Sequence, residues 1–251
     1  MNKKLMLSIV NFLGLLAVIV FNYLANALPI NDKTTGEISD KFLTLFKPAG
    51  YVFSIWGVIY VALIVFAVYQ LLPKAKNSGL VNIIGIYFIV NCVSNVAWLF
   101  AWHHEKFGLS VLIMLVILYT LIKIYTNIHT AYLDQFVAAK WTVFVPFSIY
   151  FAWICVATIA NITIYLYSIN WSGFGISPIV WFILLLSAGL GLGFFILKRF
   201  NDVIFVFVLI WAYWGIAIQN KGNETVALIA WIACSLMILV SIIKIFKSRT
   251  L

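Results

Sequence analysis

Charge is what this chain has least of: 9% of its 251 residues are Asp, Glu, Lys or Arg, against about 25% in an ordinary soluble domain. The interiors of its long apolar runs hold no Asp, Glu or Arg at all. That absence argues against a proton-coupled or ion-coupled carrier, which keeps an ionisable group near the bilayer centre. Cysteine is scarce too. Cys92, Cys155 and Cys234 each lie inside an apolar run without a C-x-x-C or Cys/His spacing, so they offer neither a disulfide framework nor a metal site and read as small packed hydrophobes. His103, His104 and His129 sit beside apolar runs and read as interfacial or solvated side chains rather than haem ligands. No phosphate loop is encoded. Gly189-Leu-Gly191-Leu-Gly193 follows no strand and lacks the G-x-G-x-x-G spacing, whereas Gly189 and Gly193 form a G-x-x-x-G pair suited to close helix packing. No nucleophile is accompanied by a base, so no catalytic residue and no metal ligand is assigned.

What is present is hydrophobicity. Apolar residues make up 65% of the chain and the mean hydropathy is +1.11, which points to an all-α, multi-pass membrane protein. Sixteen Lys and Arg against seven Asp and Glu give a net charge of +9. In a soluble protein that excess would suggest nucleic acid. Here it is confined to short segments between the apolar runs, so it is read as topology and no nucleic-acid partner is expected.

A span needs about 20 mainly apolar residues. By that rule helices are expected near 5 to 28, 51 to 73, 79 to 102, 107 to 127, 141 to 167, 178 to 198, 202 to 219 and 224 to 246. The first resembles a signal peptide, with Lys3 and Lys4 before it and Ala25-Asn26-Ala27 near its end. It exceeds the roughly 7 to 15 residues of a signal h-region and is kept as a span. With the N-terminus inside, eleven basic residues fall on the inner side: Lys3, Lys4, Lys74, Lys76, Lys123, Lys140, Lys198, Arg199, Lys244, Lys247 and Arg249. Five fall outside: Lys33, Lys41, Lys47, Lys106 and Lys221. Eight spans with both termini cytoplasmic follow. The shortest is the seventh, and Asn201-Asp202 makes it a tight hairpin with the sixth.

Three spans carry stripes at helical spacing. Asn91, Asn95, Trp98 and Trp102 share one face of the third, and Tyr150, Trp153, Ala157 and Asn161 share one face of the fifth. Phe53, Trp56 and Tyr60 do the same in the second, preceded by Tyr51. Carboxamides in lipid must find partners, so these asparagines should point into the bundle. Two readings are open from spacing alone. One is interhelical hydrogen bonding with aromatic packing; the other is a pocket in which indoles stack on a flat apolar ligand and amides orient its polar edge.

The stretches KPAGYVFSIWGVIY, NCVSNVAWLF and YFAWICVATIAN occur in this order. Together they resemble the tryptophan-rich sensory protein family, also called translocator protein or TspO/MBR, over residues 1 to about 168. The resemblance implies a five-helix transmembrane bundle at 1–168, to which 169–251 add three C-terminal transmembrane helices bearing Trp181, Trp211, Trp214 and Trp231. That addition is expected to pack as a further wall or to form a dimerisation surface. The resemblance also implies a ligand site lined by Tyr51, Phe53, Trp56, Tyr60, Asn91, Asn95, Trp98, Tyr150, Trp153, Ala157 and Asn161. Its ligand would be a flat hydrophobic molecule: a tetrapyrrole such as protoporphyrin IX or haem, a sterol-like compound or a lipid. No cofactor is required. A sensor or translocator is the leading expectation, with a tetrapyrrole-degrading enzyme or a facilitated transporter as alternatives and homodimerisation as a family trait. Several positions depart from the family pattern. Tyr51 stands where a Trp is usual, a proline is displaced to Pro146, Ile113 replaces an acid, and no Lys or Arg follows Asn161 until Lys198, so the sterol motif is missing.

Overall fold

A computed structural model describes residues 3–28, 30–73, 75, 80–132 and 139–249. Position 79, the expected start of the third span, and the inner-side residues Lys74 and Lys76 lie outside the described residues. Among the described residues the regular structure is all helical, with α1 Lys3–Ala27, α2 Thr35–Asp40, α3 Ile55–Tyr69, α4 Leu80–His103 and α5 Phe107–Tyr132. After these come α6 Val145–Ser168, α7 Pro178–Phe200, α8 Val203–Gln219 and α9 Glu224–Arg249. Among the described residues, seven segments are long and apolar enough to cross a membrane. The short α2 is not among them, and α8, with 17 residues, is about 25 Å long, at the lower limit for a span. Helix is the only local structure open to such runs in lipid, because it satisfies every backbone N–H and C=O within the segment.

The helix ends are written in the local sequence. Ser177 caps α7, accepting from Val180 N–H, with Pro178 in the first turn where its missing N–H costs nothing. Asn201 ends α7 in the left-handed region at φ 57°. Asp202 then caps α8, its Oδ1 accepting from Ile204 N–H at 3.0 Å and Phe205 N–H at 3.1 Å. The hairpin expected at Asn201-Asp202 is thus a two-residue joint. The second span is cut short at its end: a span was expected to 73, and α3 ends at Tyr69. The residue before a proline is pushed out of helical geometry, and ahead of Pro73 the backbone tightens into i to i+3 bonds from Leu71 to Val68 and from Leu72 to Tyr69.

The chain forms two compact units, interleaved in sequence. The first comprises Met1–Lys41 and Ile55–Ile154. Within it α4 packs between α1 and α5, and α3 lies against α1. Phe66, Phe88 and Phe147 meet edge to face with ring centroids 4.8 to 5.6 Å apart, joining α3, α4 and α6. Residues 30–41 of this unit are tied to the turn between α4 and α5. His103, fully buried, has Nδ1 3.1 Å from Ile30 O and Nε2 3.0 Å from Thr35 Oγ1. Trp102 Nε1 donates to Thr35 O, Asn31 Nδ2 donates to His103 O, and Glu105 pairs with both Lys33 and Lys41. Of the interfacial or solvated placement expected for the histidines, the solvated alternative fails for His103, which is a buried clasp, and for His129, which is buried against the rings of Tyr125 and Phe144. His104 is exposed.

The second unit comprises Phe42–Ser54 and Cys155–Leu251. Here α7, α8 and α9 pack on one another, and the glycine pair behaves as its spacing suggests. A Cβ on Gly189 would overlap the Tyr213 hydroxyl, which donates to Leu186 O at 2.8 Å, and one on Gly193 would press on Leu209 at 3.0 Å. The same unit holds the segment 42–54 along α8. Ala49 N–H donates to Gly215 O at 3.0 Å, Trp211 Nε1 to Val52 O at 3.1 Å, and Asn220 Nδ2 to Leu45 O at 3.0 Å. Gly215 permits this approach, because a side chain there would run into Val52 and Pro48. The C-terminal helices are therefore packing elements with a definite client, the segment that precedes the second span.

Candidate functional site

The first unit brings six of the expected site residues together. Trp56 is at their centre: its ring stacks on Tyr60 at 5.5 Å, one turn along α3, and meets Tyr150 at 6.0 Å and Trp153 at 6.4 Å edge on. Tyr150 and Trp153 are almost fully buried on α6, whereas Trp56 and Tyr60 are half-buried. The three-residue spacing of Tyr150 and Trp153 puts both rings on one helix face, and the four-residue spacing of Trp56 and Tyr60 does the same on α3. Four aromatic side chains thus form one continuous wall.

The amides form the adjoining part. Asn22 Nδ2 donates to Asn95 Oδ1 at 2.9 Å, and Asn95 Nδ2 donates to the Tyr150 hydroxyl at 3.1 Å. That hydroxyl donates in turn to Asn91 Oδ1 at 3.0 Å, while Asn91 Nδ2 donates to Thr120 Oγ1 at 2.9 Å. Thr120 Oγ1 donates in turn to Ile117 O at 2.7 Å. One relay therefore crosses α1, α4, α6 and α5, with every heavy polar atom of Asn91 and Asn95 used. Tyr150 belongs to both parts, its ring in the aromatic wall and its hydroxyl in the relay.

The remaining expected residues are placed elsewhere. Trp98 stacks on Trp102 at 5.2 Å, in the direction of the His103 clasp. Tyr51 belongs to the second unit, where its ring meets Trp211 edge on at 5.5 Å. Phe53, Ala157 and Asn161 are also in that unit, Asn161 buried and the other two half-buried. Ala157 and Asn161 continue the face of α6 that carries Tyr150 and Trp153, since the helix runs unbroken from Val145 to Ser168. Sequence reasoning missed Asn22 and Thr120, and it named Trp211 as a packing residue without its partners Tyr51 and Val52. A signal existed for Asn22, a lone carboxamide inside the first span that must find a partner in lipid. Thr120 gave none, because a threonine on a membrane helix can satisfy its hydroxyl on its own backbone.

Outside the membrane segments, the electrostatics centre on Glu105. The Lys41 ammonium first, and Lys33 second, hold its carboxyl below the ordinary range. Glu37 is lowered as well, by hydrogen bonds from the Thr34 backbone and side chain that complete a capping box for α2.

A family model described as TSPO-like protein matches residues 8–245, including the C-terminal helices. No curated protein and no solved structure matches the chain.

Proposed function

This chain belongs to the TSPO-like protein family, and from that premise we propose that it is an integral membrane ligand-binding protein of the sensor or translocator type. Its ligand is a flat hydrophobic molecule, with protoporphyrin IX or haem as the reference chemistry and sterol-like compounds or lipids in the same class. The observation that carries the proposal is the Trp56, Tyr60, Tyr150 and Trp153 wall joined through one hydroxyl to the amide relay. Aromatic faces reward a planar partner by stacking, and a polar edge is recognised by neighbours that can exchange one hydrogen bond for another. Because the asparagines already bond one another, a ligand replaces a relay bond rather than filling a vacancy. Affinity then comes from the rings and orientation from the amides. The proposed lining is that of the first unit: Trp56, Tyr60, Tyr150 and Trp153 with Asn91 and Asn95. The membrane arrangement proposed with it is eight crossings with both termini cytoplasmic, supported by the eleven-to-five division of basic residues.

The test is titration of the purified protein with protoporphyrin IX, followed by quenching of tryptophan fluorescence. Trp153→Ala removes a stacking face and Trp56→Ala removes the ring at the centre of the wall, so each should weaken binding about tenfold or more. Unchanged affinity in both variants would overturn the site.

A further inference from the structure

We infer that the second unit carries a separate site for one anionic phospholipid, built from an apolar groove and the basic end beside it. The groove, about 360 Å³, runs between α7, the first turn of α8 and α9. Its lining includes Gly191, Phe194 and Leu197 from α7, Val206 from α8, and Met237 and Val240 from α9. Its volume falls within the usual range of small-molecule pockets, roughly 300 to 1,000 Å³. It is dimensioned by absence of side chain: Gly191 has no atom within 4 Å of where a Cβ would stand.

The charges at one end of this groove decide between occupants. α7 and α9 run in the same direction, so Lys198 and Arg199, directly after Leu197, come to the same end as Lys244, one turn beyond Val240. Among the described residues the acid at that end is Asp202, which is buried and accepts from the Ile204 and Phe205 N–H groups of its own helix. An apolar slot at bilayer depth, finished at headgroup level by three cations, complements a molecule that is acyl chain over that depth and phosphate at that level. A soluble phosphate has no use for the slot, and a second copy of the chain would bring the same cations against themselves. The positive-inside rule accounts for basic residues at this end; it does not account for a groove that stops beside them. Basic pockets between membrane helices are a recognised device for holding anionic headgroups.

Native mass spectrometry of the detergent-purified full chain, titrated with phosphatidylglycerol or phosphatidylcholine, reads the site. The wild type should retain phosphatidylglycerol at least roughly tenfold more tightly than phosphatidylcholine, and Arg199→Gln or Lys244→Gln should each lower that preference by roughly fivefold. Single substitutions leave the topological bias almost intact. Gly191→Leu should fill the groove and reduce retention of both lipids. It should not lower the melting temperature, since the position is open and glycine is the poorer helix former. Equal retention of the two lipids by the wild type would overturn the inference. So would undiminished lipid retention by Gly191→Leu. A wild-type dimer that Gly191→Leu converts to monomer, without loss of lipid, would assign the groove to a second copy instead.

Discussion

Tyr150 sets one hydroxyl between two amides and one ring against Trp56, so its two functions separate by mutation. Tyr150→Phe keeps the ring and leaves Asn91 Oδ1 and Asn95 Nδ2 without that partner in a buried setting. A buried polar group left unsatisfied costs about 1 to 3 kcal/mol, and membrane interiors moderate this because the unfolded helices also find partners. A loss of about 1 to 2 kcal/mol is expected, read as a lower melting temperature in detergent, while stacking of protoporphyrin IX persists. The glycines offer a sharper contrast. Gly189→Ala must push the Tyr213 hydroxyl off Leu186 O, whereas Gly191→Ala meets nothing. The first should destabilise by about 2 kcal/mol or more by breaking a buried bond and overpacking, and the second should be neutral or stabilising by up to about 1 kcal/mol. Equal melting temperatures for the two variants would contradict this reading of the packing. Both glycines belong to the run Gly189-Leu-Gly191-Leu-Gly193, and spacing correctly singled out Gly189 and Gly193 as the packing pair. It could not name Tyr213 as what they make room for, because the match is between helices.

At the scale of elements, the segment 30–41 is secured by the buried clasp of His103 and Trp102 and by the exposed pairing of Glu105 with Lys33 and Lys41. The Glu105 carboxyl is held below its ordinary value in the folded state, so its contribution is complete above the usual carboxylate range. That contribution is lost as pH falls through the lowered folded value. The protection factor for amide hydrogen exchange across residues 30–41, the intrinsic rate at each pH divided by the observed rate, should therefore be high at neutral pH and fall at strongly acidic pH. Glu105→Gln should show the lowered protection already at neutral pH and lose this pH dependence. High salt should reproduce part of the effect, since these groups are exposed and screened. No part of this docking was legible in the sequence. The helix limits were: Ser177-Pro178 and Asn201-Asp202 announce a start, a stop and a restart within a few residues. Capping is local chemistry, whereas a loop's anchor can lie anywhere along the chain, as Trp211 shows by bonding Val52 O from 159 positions away.

For the whole molecule, α8 carries the consequence. If this 17-residue helix crosses the bilayer, the two termini lie on one side and the basic ends of α7 and α9 share the cytoplasmic face. Cysteine labelling from outside the cell, with the native cysteines replaced, should leave tags at positions 2 and 248 unreactive and should label position 221 in the α8–α9 turn. Labelling of the C-terminal tag alone would remove α8 from the spans. The sequence by itself determined the solvent, the helical class, most helix limits and which faces carry amides and rings, because each of these follows from hydropathy, helical period or capping within a few residues. Only the tertiary structure decided that Tyr150 joins the amides to the aromatic wall, and that Asn22 and Thr120 complete the relay. It alone placed the FKPAGYVFS stretch on α8. Those outcomes depend on which distant side chains arrive within hydrogen-bond reach, and periodicity, which fixes the direction a residue faces along its own helix, carries no information about what it will meet there.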